Sequence, residues 1–169
     1  MSWLGRLRRG GLPEGFSERL ASEEQPLAAA GELLATSRGL WVPVGGCHRR
    51  IGWHLISKAV WRDGVLTVVE ARETGTVAGV VLLRDLPPQR WPLAEPGKLP
   101  EAVRRRVTES VRSSHHRELP GGGAWVVQRK VPGVGGVTLQ VRAEPGTEAR
   151  AVSVLAEQVA DGVRRLREQ

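Results

Sequence analysis

Between Glu32 and Ala71 the chain is a succession of short apolar runs separated by turn signals, and this pattern constrains the fold more than any other stretch. Residues 49–61 alternate apolar and polar side chains, with Trp53 and Trp61 on the apolar face, where both are expected to be core residues. Asp63-Gly64 then provides a strong hairpin signal. The stretch therefore predicts four consecutive strands, at residues 32–36, 40–44, 49–61 and 65–71.

Three more strands and a terminal helix are predicted downstream. The strands are expected at residues 77–84, 124–130 and 137–143, with Gly75 marking the turn before the first of them. The final helix has a continuous apolar face that includes Val152, Leu155 and Val159, and we expect Thr147 to be its N-cap.

Residues 86–118 interrupt this series of strands. Five prolines between residues 86 and 100 indicate an extended crossing segment without regular structure. Pro100 suits the first turn of a helix, and this helix is predicted to continue to residue 118 with a narrow apolar stripe. Its polar faces carry the basic residues Arg104, Arg105, Arg106 and Arg112, and His115-His116 are expected near its C-terminus.

The chain is long enough, at 169 residues, to bury a core without disulfides or metals. Residues 1–31 are interpreted as a basic, flexible leader and residues 32–169 as one domain. Within the leader, residues 22–31 predict either a brief helix or a loosely ordered arm. Trp3, Arg6, Arg8 and Arg9 combine an aromatic anchor with cations, which is a combination that suits an anionic lipid surface.

The formal net charge of +7 indicates an anionic partner, although a GC-rich genome would explain the abundance of arginine equally well. Cys47 is the single cysteine, so no internal disulfide can form. The sequence has no apolar run of membrane-spanning length and no secretory signal. We therefore expect a cytoplasmic protein, with a position peripheral to the membrane as the alternative.

No group of residues predicts catalysis, a cofactor or a metal. His115 and His116 are adjacent and point in different directions, so they do not form one ligand set with His48 or His54. Cys47 lies beside His48, but no third group that would orient a nucleophile is evident. The protein is predicted to be a non-enzyme without a cofactor and without an evident small-molecule substrate.

Two motifs in the first hairpins are similar to those of bacterial pleckstrin-homology-like domains. A "T-x-R-x-L" hairpin is matched by Thr36, Arg38 and Leu40, and an "R-I-x-W-x-x-I" strand by Arg50, Ile51, Trp53 and Ile56. The resemblance implies an α+β fold: a seven-stranded antiparallel barrel capped by the C-terminal helix, with an extra helix between strands five and six. If that extra helix forms a layer of its own, the alternative is a two-layer α+β sandwich.

Such barrels usually bind rather than catalyse, so the resemblance implies an adaptor. Its protein or peptide partner is expected at a sheet edge or in the groove beside the C-terminal helix. One alternative is binding of anionic lipid through the leader. Another is phosphate-directed binding of nucleic acid through the Arg104–Arg112 helix face. Trp91 either pins the proline-rich crossing to the sheet or remains exposed as an anchor for the partner or an anion.

Overall fold

The computed structural model describes residues 20–169, which form an α+β fold of two sheets and two α-helices. The first sheet is a four-stranded antiparallel meander in the order β1-β2-β3-β4. The second is a curled, mixed, seven-stranded sheet that forms a half-barrel. The strands are β1 (Pro26–Ala30), β2 (Leu33–Thr36), β3 (Gly39–Val44), β4 (Cys47–Gly52), β5 (Ile56–Arg62), β6 (Val65–Val77), β7 (Val80–Asp85), β8 (Gln89–Pro92), β9 (Val111–Leu119), β10 (Gly122–Lys130) and β11 (Val137–Ala143); the helices are α1 (Leu99–Ser110) and α2 (Ala149–Arg167).

The first three strands of the first sheet are largely buried on both faces. Side chains of one face, such as Leu33, Leu40 and Val42, belong to a core that also includes Leu99 and Val103 of α1. The other face carries a second cluster in which Leu20 packs against Ala29, Leu34 and Trp41. This two-sided burial explains why β1, with the sequence PLAAA, is a strand although alanine has little preference for strands.

The second sheet has the strand order β5-β6-β7-β11-β10-β9, and β8 also pairs with β6. β6 is thirteen residues long; its first half pairs with β5 and β8, and its second half pairs with β7. β7 and β11 are parallel neighbours. Val152, Leu155 and Ala156 of α2 cover this part of the sheet by packing against a core that includes Val80 and Val141.

The α+β class and the C-terminal helix are confirmed, as is the hairpin at Asp63-Gly64. The two turn residues have φ values of 50° and 75°, and Arg62 pairs with Val65 across them. The predicted strand 49–61 is broken by a 3-10 turn at Trp53–Leu55 into β4 and β5. Trp53 is a core residue as predicted, whereas the prediction for Trp61 is wrong because its side chain is 38% exposed.

Three segments predicted as helical or irregular are strands instead. Residues 26–30 form β1 rather than a brief helix or a loose arm, and residues 89–92 form β8 within the proline-rich crossing. β8 is possible there because it lies beside β6 at the margin of the sheet, where proline is tolerated. The helix predicted to reach residue 118 ends at Ser110, and the chain continues directly as β9.

Two residues predicted to end or begin elements have other roles. Gly75 lies inside β6 at a shift of register against β7, and the turn follows at Ala78-Gly79. The N-cap position of α2 is Glu148, not Thr147. The Thr147 hydroxyl is buried against β10, where it donates to the Gly123 carbonyl at 2.7 Å and accepts from the Gly123 N–H at 3.0 Å.

Buried Arg129 of β10 connects the two cores. Its Nη1 donates to the Ile56 carbonyl and its Nη2 to the Trp53 carbonyl, both at 2.7 Å, while Nε donates to Ser110 Oγ at 3.1 Å. Burial lowers the pKa of Arg129 to about 10, with a smaller effect from nearby Arg142, so the guanidinium is still cationic at neutral pH. One side chain thus joins the 3-10 turn, α1 and the second sheet.

Glu24 plays a similar role on the outer side of the first sheet. Glu24 is buried, and its carboxylate accepts from Thr36 Oγ1 at 2.6 Å, Trp41 Nε1 at 3.0 Å and Arg50 Nη1 at 2.6 Å. The Ala21 N–H is a fourth donor, at 2.9 Å. Burial alone would raise the pKa of Glu24, but these donors outweigh it and the pKa is lowered.

Gly39, at the start of β3, permits close pairing with β4. A Cβ atom at this position would lie 2.3 Å from the Ile51 carbonyl oxygen, which is backbone and cannot move aside. We expect Gly39→Ala to lower the free energy of unfolding by about 2 kcal/mol in urea denaturation. Gly75→Ala is the control, because its Cβ would meet nothing within 4 Å. Equal losses in the two variants would contradict the β3–β4 register.

Candidate functional site

Among the strands of residues 20–169, β9 has the longest unpaired outer edge of the second sheet. β9 pairs with β10 on one side, and no other strand of the described chain pairs with it. Seven of its nine residues are exposed, and its side chains include two arginines and two histidines against one glutamate. A strand exposed in this way presents backbone N–H and C=O groups that an extended peptide can pair with.

The register of β9 determines what each of its faces meets. Arg117 lies opposite Ala124 and His115 opposite Val126, and these two β10 residues pack against α2. Cross-strand neighbours share a face of the sheet, so Arg117 and His115 lie on the α2 side. His116 is on the other face, where its ring packs edge-on against Trp125 with centroids 4.9 Å apart.

A groove lies between the end of β9 and the first half of α2. It has a volume of about 300 Å³, and its apolar lining includes Leu119, Val154 and Leu155. Val154 is 44% exposed, although most valines of α2 face the core. Arg150 and Gln158 of α2 and the acidic residue Glu148 also line the space, which we call the β9–α2 groove.

His116 is fixed by a contact that crosses β10. Its Nε2 lies 2.7 Å from a carboxylate oxygen of Glu144, the residue that follows β11. The ring passes over Gly123, where a Cβ atom would lie 2.7 Å from Nε2. Because Gly123 has no side chain, His116 of the edge strand β9 can reach Glu144 at the end of β11. This contact links β9 to β11 across β10.

The four arginines predicted to form one helical face do not do so. Arg104 is exposed on α1, and Arg105 pairs with Glu109 at 2.9 Å. Arg106 lines a different cavity, which it shares with Arg112 and Lys130. Arg112 is not helical at all, because α1 ends at Ser110 and Arg112 belongs to β9. The prediction of a helical face from Arg104 to Arg112 is wrong for this reason.

The remaining predicted site residues lie apart from β9. Trp91 is in β8, opposite Leu66, and is partly buried against the first core, so its side chain pins the crossing segment to the sheet. The membrane-surface residues predicted in the leader, Trp3, Arg6, Arg8 and Arg9, lie outside the described residues.

The histidines and Cys47 are dispersed. His115 and His116 are in β9, not at the end of a helix as predicted, and Cys47 is exposed at the start of β4. Burial lowers the pKa of His54, nearby Arg129 lowers it further, and Glu73 opposes both. Over residues 20–169 there is no group of three potential metal ligands, and neither helix is long and apolar enough to cross a membrane.

Leu119 and Val154 of the β9–α2 groove were not among the sequence predictions, whereas Leu155 was expected on the apolar face of the terminal helix. Leu119 follows the helix that is predicted to end at residue 118, and Val154 lies off the apolar stripe of α2. Val154 was nevertheless a usable signal, since a valine on the polar side of an amphipathic helix is a candidate for contact with a second partner.

No protein family model matches this chain, and neither does any curated protein or solved structure.

Proposed function

We propose that this protein is a non-enzymatic binding module that takes an extended acidic peptide as an additional strand along β9. The observation that carries the proposal is the free outer edge of β9, which ends beside the apolar β9–α2 groove. Main-chain pairing with an edge strand provides affinity for any extended segment, and a neighbouring pocket provides selectivity for one side chain.

The side chains around β9 favour a particular kind of peptide. Arg117 and His115 lie on the α2 side of the strand, and Arg150 lines the groove. Acidic residues on the matching face of an added strand would lie near the guanidinium groups of Arg117 and Arg150. The groove can hold one aliphatic side chain against its apolar lining, which includes Leu119, Val154 and Leu155. The best ligand therefore alternates acidic and other residues and ends in an aliphatic residue.

We also propose that the fold as a whole, with its half-barrel and C-terminal helix, is a variant of the pleckstrin-homology-like type. In support, the "T-x-R-x-L" motif surrounds the β2–β3 turn, and the terminal helix packs on the second sheet. A closed antiparallel barrel would lack the parallel β7–β11 pair, so the proposal requires an opened barrel. A binding edge beside the last helix agrees with the adaptor role that this resemblance implies.

The proposal is tested by titrating ¹⁵N-labelled protein with an eight-residue peptide that alternates glutamate and valine. We expect amide shifts concentrated in residues 111–119 and 150–158. Arg117→Glu should weaken binding about tenfold by placing a like charge beside the peptide. Val154→Asp should also weaken peptide binding, because the substitution places a charge in the apolar lining of the groove. Shifts confined to other parts of the protein would overturn the proposal.

A matched control separates a local effect from net charge. Arg164→Glu makes the same charge change on α2, but Arg164 lies in the last turn, outside the β9–α2 groove. We expect the peptide affinity of this variant to be within about twofold of the wild type, because well-exposed charges at a distance are screened. Equal weakening by Arg164→Glu and Arg117→Glu would indicate nonspecific attraction and contradict the proposal.

Two further ligands distinguish the alternatives. Anionic vesicles that pellet the protein until residues 1–10 are deleted would favour lipid binding through the leader. A single-stranded oligonucleotide that binds more tightly than the peptide, with a steep dependence on salt, would favour nucleic acid. Either result, in the absence of peptide shifts in β9, would replace the peptide-binding proposal.

A further inference from the structure

A second cavity lies at the opposite end of β9 from the β9–α2 groove. It has a volume of about 490 Å³ and is lined by residues from α1, β9, β10 and the loop that connects β10 to β11. Three of these residues are cations on three different elements, namely Arg106, Arg112 and Lys130. We refer to this space as the cationic cavity.

Within residues 20–169, the acidic groups around the cationic cavity neutralise its cations only in part. Glu109 is its one acidic lining residue, and the Glu109 carboxylate pairs with Arg105 at 2.9 Å. The hydrogen bond from Arg105 is the largest cause of the lowered pKa of Glu109, and the charges of Arg106 and Lys130 make smaller contributions in the same direction. Within residues 20–169, Arg106, Arg112 and Lys130 take part in no ion pair. The cavity therefore has a surplus of positive charge.

A buried cation behind the wall of the cavity adds to this surplus. Ser110 lines the cavity, and its Oγ accepts from Arg129, which is 5% exposed. Every hydrogen bond from the Arg129 guanidinium to a described residue goes to a carbonyl or a hydroxyl, and none goes to a carboxylate. An uncompensated charge in a region of low dielectric attracts an anion more strongly than one in water does.

A fifth cation lies against the loop that borders the cavity. Gly133 has a φ of 77°, and a Cβ atom there would lie 2.8 Å from Arg38 Cζ, so the guanidinium packs directly on the loop backbone. Arg38 comes from the β2–β3 turn, and the neighbouring Ser37 lines the cavity. Arg38 therefore lies at the border of the cavity, although it is not one of the lining residues.

We propose that the cationic cavity binds a phosphomonoester group. A dianion with several acceptor oxygens matches cations that approach from three elements better than a single carboxylate does. The volume of about 490 Å³ leaves room for the group that carries the phosphate. This inference concerns a different site from the β9–α2 groove, so neither proposal depends on the other.

Inorganic phosphate is the probe for a direct test. Calorimetric titration of the full chain, with sodium chloride added to keep the ionic strength constant, should show saturable binding at one site. The Arg106→Glu and Lys130→Glu variants should each weaken phosphate binding at least about tenfold, since each reverses a charge that lines the cavity. Absence of saturable binding to the wild type would overturn the proposal.

The matched control is Arg104→Glu, which makes the same charge change on α1 but does not alter the cavity lining. We expect phosphate affinity to change less than about twofold in this variant. Equal weakening by Arg104→Glu and Arg106→Glu would show that net charge, not the cavity, attracts the ion, and would overturn the proposal. Circular dichroism of each variant checks that an affinity loss is not unfolding.

The source of the phosphate is resolved by two further titrations. An eight-residue peptide with a central phosphoserine should bind more tightly than its unphosphorylated form if a modified protein is the natural source. Tighter binding of free phosphate than of the phosphopeptide would indicate a small metabolite. The proposal of a phosphomonoester would be overturned by an oligonucleotide without terminal phosphate that competed with inorganic phosphate and bound at least as tightly as the phosphopeptide.

Discussion

Arg129→Ala is expected to lower the free energy of unfolding by about 3 kcal/mol or more in urea denaturation. The substitution removes the donors that satisfy the Trp53 and Ile56 carbonyls, both of which lie at the junction of the two cores. An unsatisfied buried carbonyl costs about 1–3 kcal/mol, and the Ser110 hydroxyl loses its donor as well. The loss should appear as one cooperative transition at a lower urea concentration.

Two companion variants make this result specific. Arg129→Lys should recover little stability, because an ammonium group does not reproduce the planar arrangement of donors that reaches the 3-10 turn and α1 together. Arg117→Ala, an exposed change on the neighbouring strand, should shift the unfolding free energy by less than about 0.5 kcal/mol. Wild-type stability of Arg129→Met would show that these carbonyls do not need the guanidinium.

Glu24→Gln is expected to lower the free energy of unfolding by about 3 kcal/mol at pH 7. The amide preserves the volume of the side chain but removes the charge and turns an N–H donor toward groups that are themselves donors. Thr36, Trp41 and Arg50 all donate to the wild-type carboxylate. Thermal and urea denaturation of the two proteins at pH 7 measure the difference.

The same variant has a defined dependence on pH. The folded-state pKa of Glu24 lies below the ordinary value of 4.5 for this group, so the carboxylate contributes stability above pH 4.5. This contribution is lost as the pH falls through the folded-state pKa, and the difference between the wild type and Glu24→Gln should shrink there. Glu23→Gln, a change at an exposed neighbouring residue, should leave the free energy of unfolding almost unchanged at every pH. If the difference in unfolding free energy between Glu24→Gln and the wild type did not change with pH, the ionised state of the Glu24 carboxylate would not be its source.

Local signals in the sequence predicted the elements that depend on local chemistry. Asp63-Gly64 predicted the β5–β6 hairpin because both residues tolerate positive φ, and the apolar stripe of α2 predicted a packed helix. β1 and β9 could not be predicted in this way. The alanines of β1 are strand residues because two layers bury them, and β9 lacks an apolar alternation because most of its residues face solvent.

The candidate sites were less accessible to sequence reasoning than the fold. The arginines of residues 104–112 looked like one helical surface, and their separation depends on the end of α1 at Ser110. Arg106, Arg112 and Lys130 converge because β9 returns alongside β10, a pairing that no short-range pattern encodes. The expectation of binding at a sheet edge or beside the terminal helix came from the family resemblance and did not identify which strand is free.

The parallel pairing of β7 with β11 has a consequence for synthesis on the ribosome. β7 ends at Asp85, and its partner begins at Val137, so a nascent chain exposes one edge of an apolar strand until most of the sequence has emerged. Long-range pairing of this kind forms late and slowly. Chains that stop before β11 should therefore be prone to aggregation and to recognition by chaperones, whereas the first sheet and α1 can assemble earlier.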